Sequence, residues 1–177
     1  MNLVETFQNL VAQVPELVQP LIVALAGAIP FIEGEGAAAI GIIGGIHPVV
    51  AAIAAMAGNF LCVAILVIAG AGARKAIVTR SRSRESVAAG GATIDEAPAE
   101  SDRGTARRAK FQRAFERYGV PGVSLLGPLL LPTHFTATML AASGIGKGRV
   151  LIWQAAAIVL WTTAITLIIT GAVSVIR

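Results

Sequence analysis

Apolar runs along this chain come in two lengths, and the lengths predict different elements. Pro48–Gly72 carries no charge along its whole length, and Val150–Ile176 is similarly long and uncharged. A helix of about 20 apolar residues crosses the hydrocarbon core of a bilayer, so both read as transmembrane helices. The other runs are too short. Leu17–Ile29 ends at Pro30 and Gly36–Ile46 follows it; later, Val120–Leu131 precedes Pro132 and Thr133–Ile145 follows it. Such pieces reach roughly 15–20 Å, about half the core. They read as half-helices broken at proline, which enter the membrane, turn near its midplane and leave on the same side. At the N-terminus Leu3, Phe7, Leu10 and Val14 share one side of a short amphipathic helix interrupted by Pro15. With no basic stretch before it, this segment reads as an interfacial helix rather than a signal peptide.

The two halves share a rhythm. The spacing from Pro30 to His47 equals the spacing from Pro132 to Arg149. Each break leads to a Gly-rich exit (Gly41–Gly45, Ser143–Gly146) and then to one full span. The predicted fold is all-α and integral to a membrane, with an N-terminal interfacial helix (1–15) and two inverted repeats. The first repeat is a proline-broken re-entrant hairpin (16–46) and a transmembrane helix (47–72). A basic linker (73–117) follows, flexible over 79–105. The second repeat is a re-entrant hairpin (118–146) and a transmembrane helix (147–177). Full helix pairs in place of the hairpins would leave the sides of the membrane unchanged, so only the segment lengths favour re-entry.

Composition agrees with the bilayer as solvent. Of 177 residues 55% are hydrophobic and 14% charged, with a mean hydropathy of +0.76; soluble domains carry about 25% charged residues. Residues 73–117 hold 11 of the 14 Lys+Arg with six acids, a net charge of +5, and the remainder nets −1. Ser, Gly, Ala and charge predict the flexible stretch Thr79–Thr105, and Phe111 and Phe115, four apart, suggest a basic amphipathic helix over Arg107–Tyr118. A basic linker between membrane segments faces anionic lipid rather than nucleic acid. The positive-inside rule puts it in the cytoplasm of a multi-pass plasma or inner membrane protein, together with Lys147 and Arg149, and leaves both termini outside. Cys62 alone forms no intrachain disulfide and reads as a small packing residue.

Two polar stretches interrupt the apolar pattern at the proline turns. Ala28–Gly36 puts Glu33 and Glu35 inside a hydrophobic hairpin, where an acid is costly unless protonated, paired or hydrated. Gly34 and Gly36 free the backbone to turn and leave amides at the start of the following half-helix. Sharing one cavity, the two carboxylates would repel and hold a proton; either one alone could instead cap the half-helix from Gly36. In Leu131–Thr138, Thr133 is a candidate N-cap, and Thr136 and Thr138 can bond their own helix. His134 would approach the glutamates in an inverted repeat, giving a proton relay or cation gate. Pro30, Gly34, Gly36, Asn59, Pro132, Thr133, Thr136 and Trp161 are the candidate lining of the cavity between the turns. Asn59 either lines it or locks two helices, and Trp161 either stacks a cationic ligand or packs. Trp153 reads as an interfacial belt residue and His47 as a wet residue of the outer interface. No ligand spacing supports a metal at Glu33, Glu35 and His134, and no cofactor is called for. No nucleotide loop, zinc signature or nucleophile elbow occurs, so an ATP-driven pump or other enzyme has no residues behind it.

Several of these residues resemble the small multidrug export proteins: Ala28-Ile29-Pro30 at a hairpin tip, Gly58-Asn59 in the first span, and Arg117-Tyr118-Gly119 before an apolar run ending Leu131-Pro132. The likeness covers most of the chain outside the linker. That family is distantly similar to the DedA (VTT, SNARE-associated) membrane proteins. The resemblance implies inverted re-entrant hairpins, membrane-embedded acids, proton-linked transport and, for some members, movement of the carrier lipid undecaprenyl phosphate. The DedA pattern has arginines flanking the second-hairpin proline where this chain has Leu129 and Phe135, and the export family has a small Gly-rich turn where this chain has Thr133-His134-Phe135-Thr136. Without the arginines a grip on lipid phosphate is weakened.

The expected function is proton-coupled export of small hydrophobic or cationic compounds, with Glu33, Glu35 and His134 as the proton or cation site. Two alternatives remain open: a flippase for an anionic lipid such as undecaprenyl phosphate, and a non-transporting scaffold whose linker binds lipid or a partner. The expected partners are the bilayer, protons and a small-molecule or lipid substrate. A domain this small is a candidate homodimer, and no motif specifies an interface.

Overall fold

The computed structural model describes residues 3–87 and 118–176, and among them every regular element is helical. α1 spans Leu3–Gln13, α2 Gln19–Gly27, α3 Glu33–Ile43 and α4 Pro48–Val87. Helix α5, over 118–126, runs into a 3-10 turn at Gly127–Leu129; α6 (Thr133–Ala142) and α7 (Lys147–Ile176) follow. Proline sets several boundaries. Pro20 lies in the first turn of α2, Pro48 opens α4, Pro128 sits in the 3-10 turn and Pro132 is the N-cap of α6, all places where a missing N–H costs nothing. α3 and α6 end alike, with Gly45 (φ 92°) and Gly144 (φ 84°) taking the left-handed conformation just after the C-cap.

Several boundaries differ from the sequence expectation. The first break occupies positions 28–32 and α3 starts at Glu33 rather than Gly36, so both glutamates lie in its first turn. α4 continues past Gly72 as far as Val87, so the first part of the expected linker is helical. The remainder of that linker, with the predicted helix from Arg107, lies outside the described residues. In α1 the face that packs is Phe7 and Val11, four apart, with Val11 fully buried against Gly44; Leu3 and Leu10 stay exposed.

The apolar interior is divided in two. One cluster joins α1, α2 and α3 to the start of α4 (Ala51, Ala55) and the end of α7 (Ile169, Val173). The other joins α5 and α6 to the middle of α4 (Val63, Val67) and the first half of α7 (Val150, Ile158). α4 and α7 therefore cross the molecule in opposite senses. On each, the buried residues recur every four positions, and between the two clusters that stripe turns polar: Asn59 on α4 and Thr162 on α7. Backbones come close where small residues meet. A Cβ at Gly27 would stand 2.6 Å from the Ala55 carbonyl oxygen, and one at Gly58 would collide with that of Ala24, so α2 and α4 run antiparallel with main chains in contact.

Polarity is distributed against the habit of water-soluble proteins. Glu33, Asn59, Ser124, Thr133, His134, Gln154 and Thr162 are buried, while Ile53, Leu61, Ile65, Ile152, Leu167 and Ile168 are more than half exposed. Two helical stretches, Pro48–Gly70 and Lys147–Val175, are long and apolar enough to cross a membrane, and only 39% and 22% of them is buried within the protein. A soluble core helix would be covered on most sides, so these exposed apolar faces point to membrane association.

Candidate functional site

Between the two clusters, the starts of α3 and α6 meet. Glu33, the first residue of α3, is 7% exposed. Thr133 and His134, the first two residues of α6, both reach it: Thr133 Oγ1 donates to Glu33 Oε2 at 2.6 Å, and His134 Nδ1 lies 3.1 Å from Glu33 Oε1. Each carboxylate oxygen thus faces one donor from the other half of the chain. A carboxylate at the start of two helices also sits at the favourable end of both dipoles. Hydrogen bonds to a charged group are worth about 1.5–3 kcal/mol each. With Nδ1 turned to the carboxylate, His134 Nε2 is buried without a partner among the described residues.

The backbone is strained here. Phe31 (φ 75°) and Glu33 (φ 53°) both occupy the left-handed region, at about 1–3 kcal/mol each for residues with side chains. This conformation turns the chain within positions 28–32 and aims Glu33 at α6. The cost is of the same order as the gain from its two bonds, so the partners from α6 help hold the turn. The Phe31 and Phe135 rings meet beside the pair, with centroids 6.1 Å apart at 54°. A cleft of about 270 Å³ opens next to them; its walls are Phe31 and the Pro128–Pro132 segment, and Glu33 lines it.

A second polar group adjoins the first. A Cβ at Gly34 would collide with the Thr162 hydroxyl and lie 3.5 Å from Asn59 Nδ2, so α3, α4 and α7 converge on this glycine. Asn59 is fully buried and, among the described residues, neither of its amide atoms has a hydrogen-bond partner; the Thr162 hydroxyl is likewise buried without one. Such orphaned groups cost about 1–3 kcal/mol apiece unless something else pairs them.

The chain matches no protein-family model, no curated protein and no solved structure.

Of the residues singled out in the sequence, Glu33, His134, Thr133, Pro132, Gly34 and Asn59 come together. Glu35 does not: it is half-buried on the same first turn and joins neither Thr133 nor His134. Thr133 does not cap α6; Pro132 is the N-cap and the Thr133 hydroxyl goes to Glu33 instead. Neither glutamate caps α3, whose N-cap is Ile32 without a side-chain bond. Gly34 and Gly36 are helical and make no turn, and Gly34 serves close approach to α7. Thr136 bonds the Pro132 carbonyl at 3.3 Å, and Pro30 is exposed at the tip. The Trp161 indole donates to the Leu125 carbonyl at 2.8 Å, tying α7 to α5. Trp153 packs on the second cluster, and His47, exposed, accepts from the Val49 amide at 3.3 Å and caps α4. Among the described residues no three His, Cys, Asp or Glu side chains group as metal ligands. Sequence reasoning missed Thr162; its signal was a hydroxyl repeating every four residues in an apolar helix (Thr162, Thr166, Thr170).

Gly34→Ala is expected to destabilise the protein by about 1–3 kcal/mol through overpacking. Thr162→Ala removes the colliding atom and should restore most of that loss in the double variant. Thermal unfolding in detergent of the four proteins in a double-mutant cycle checks this; additive effects would show that Gly34 and Thr162 do not meet.

Proposed function

We propose that the protein is a multi-pass membrane transporter that couples passage of small hydrophobic or cationic compounds to protonation of the Glu33–His134 pair. One observation carries this reading: a buried carboxylate in one half of the chain is bonded to a histidine and a threonine at the corresponding break of the other half. A His–carboxylate pair deep in an apolar region is costly to maintain and marks proton or ion pathways. When the pair gains a proton its hold on a bound cation weakens, which is the elementary step of exchange.

The same reading takes α2–α3 and α5–α6 as re-entrant hairpins, each followed by one span, in inverted repeat. It is supported by the exchange of contacts between halves: α3 packs on α7 and α6 on α4. The matching glycine exits at Gly45 and Gly144 support it too. Positive-inside bias then assigns the linker and the exposed start of α7, with Lys147 and Arg149, to the cytoplasm of a cell membrane, and both termini to the outside. The short-motif resemblance to the small multidrug export proteins points the same way. The cleft beside Glu33 favours apolar or cationic cargo, because its lining among the described residues combines apolar side chains with one carboxylate and no Lys or Arg. A lipid-phosphate headgroup would meet Leu129 and Phe135 where a cationic grip is needed.

The test is proton flux in proteoliposomes with an internal pH dye, challenged with a panel of lipophilic cations and with a polyprenyl phosphate. Lipophilic cations are expected to evoke flux. Movement of the polyprenyl phosphate without proton flux would replace this reading by a flippase, and silence with every compound would remove coupled transport.

A further inference from the structure

The chain between α5 and α6 leaves its carbonyls unused. A continuous helix pairs each carbonyl with the amide four residues on. Pro132 has no N–H, so the Pro128 carbonyl lacks that partner by sequence alone. Pro132 also takes an extended ψ of 141°. The chain turns there into α6, and the amides of Thr133 and His134 do not reach the carbonyls of Leu129 and Leu130. The amides of Leu130 and Leu131 both donate to the Gly127 carbonyl instead. Among the described residues, the carbonyls of Pro128, Leu129, Leu130 and Leu131 therefore accept no hydrogen bond.

These are the residues that, with Phe31, Glu33 and Pro132, wall the cleft of about 270 Å³. Irregular backbone at membrane depth is tolerated where it is buried in protein or lines a wet cavity. Leu129 and Leu130 are 62% and 70% exposed, so this stretch is not buried, and the cleft is what it lines. Glu33 is the one charged side chain in the wall. Each of its oxygens keeps a further lone-pair direction beside the bond from Thr133 or His134. The wall thus offers hydrogen-bond acceptors and a negative charge. Its other surface is apolar, made by the Phe31 ring and the leucines. A bare metal ion would leave most of that volume and all of that apolar surface unused.

We propose that the cleft is a subsite for amphipathic amines that carry N–H donors, and that it discriminates against their quaternary analogues. The N–H groups of a primary or secondary ammonium pair with the unused carbonyls of residues 128–131. Glu33 supplies the countercharge, and the apolar part of the ligand lies against Phe31 and the leucines. A quaternary ammonium brings the same charge and more apolar surface but no donor. It leaves the carbonyls unpaired while displacing the water that served them. Replacing N–H by methyl raises hydrophobicity, so a merely apolar groove beside a carboxylate would prefer the quaternary member. The carbonyls reverse that order. This inference rests on the reading of the cleft as the approach of cargo to Glu33 and narrows the cargo to one class, but its test needs no transport.

The probes are phenylethylammonium and its mono-, di- and trimethylated analogues, all cations at neutral pH. Their binding to the full-length protein in nanodiscs is measured by calorimetry, with empty nanodiscs correcting for partition into lipid. Affinity is expected to fall as N–H groups are replaced, and to be at least about tenfold weaker for the trimethylated member than for the primary amine. Equal affinities, the reverse order or no binding by any member overturns the proposal; equal affinities with displacement by sodium would mark a site for bare cations instead. Glu33→Gln should weaken every member by a similar factor and leave the order intact, since it removes the charge and not the carbonyls. Loss of the order in Glu33→Gln would move the acceptor to the carboxylate and overturn the role of residues 128–131. The wild-type series decides by itself should that variant fail to fold. The expected order without proton flux would sink coupled transport and leave the subsite. Flux evoked equally by primary and quaternary members would sink the subsite and leave the proton site standing.

Discussion

Glu33→Gln is expected to abolish substrate-driven proton flux, down to the level of empty liposomes, while Glu35→Gln keeps most of it. The two acids are two residues apart on one helical turn and look alike in the sequence. In the folded protein only Glu33 is bonded to Thr133 and His134. The side chain of Glu33→Gln would retain one carbonyl oxygen, so one of the two donors from α6 keeps its acceptor. Its amide nitrogen cannot accept from the other donor and cannot exchange a proton. Folding should suffer by no more than about 1–3 kcal/mol, the range for one buried hydrogen-bonding group left unpaired. A variant that melts close to wild type and moves no protons therefore separates chemistry from stability. Equal loss in Glu35→Gln would mean that the carboxylates act as a pair, and undiminished flux in Glu33→Gln would remove the proposed site.

Gly58→Ala is expected to destabilise the protein by about 3 kcal/mol or more, the upper range for overpacking, because the obstacle is main chain. The new methyl would collide with the carbonyl oxygen of Ala24, with the Ala24 carbonyl carbon and Cα close behind it. A side chain at such a contact could rotate away, whereas here α2 as a whole must move from α4. Ala24→Gly should not rescue it, since the colliding atoms belong to the backbone. The contrast is Gly72→Ala, for which a new Cβ meets nothing within 4 Å; its melting should be unchanged or slightly raised, as alanine is the better helix former. Thermal unfolding in detergent distinguishes the two. A mild Gly58→Ala would show that the α2–α4 contact yields easily.

Much of the architecture could be read from single elements because its causes are local. Pro48–Gly70 and, after Arg149, the rest of Lys147–Val175 announce themselves by long uncharged and mostly apolar composition, a one-dimensional property. The breaks at Pro30 and Pro132 were equally legible, since proline and glycine act on the backbone beside them. So were the polar residues at those breaks, which stand out against their neighbours. Boundaries were harder. Gly34 and Gly36 looked like turn residues, yet the turn falls at 28–32 and α3 begins at Glu33, where Gly34 serves close packing against Thr162 rather than a turn.

What the tertiary structure alone decided is which polar groups meet. The Glu33–Thr133 bond joins residues 100 positions apart, and no pattern within either segment chooses Glu33 over Glu35. That choice depends on the left-handed backbone at Phe31 and Glu33, which is tolerated where partners from another helix offset its strain. Thr162 was legible only as one of several threonines in an apolar helix; its place beside Asn59 and Gly34 follows from the opposite courses of α4 and α7. The sequence by itself determined the segments, their apolar character and the residues able to do chemistry. The assembly of those residues into a site rested on close helix contacts at glycines, whose effect depends on what lies across the interface.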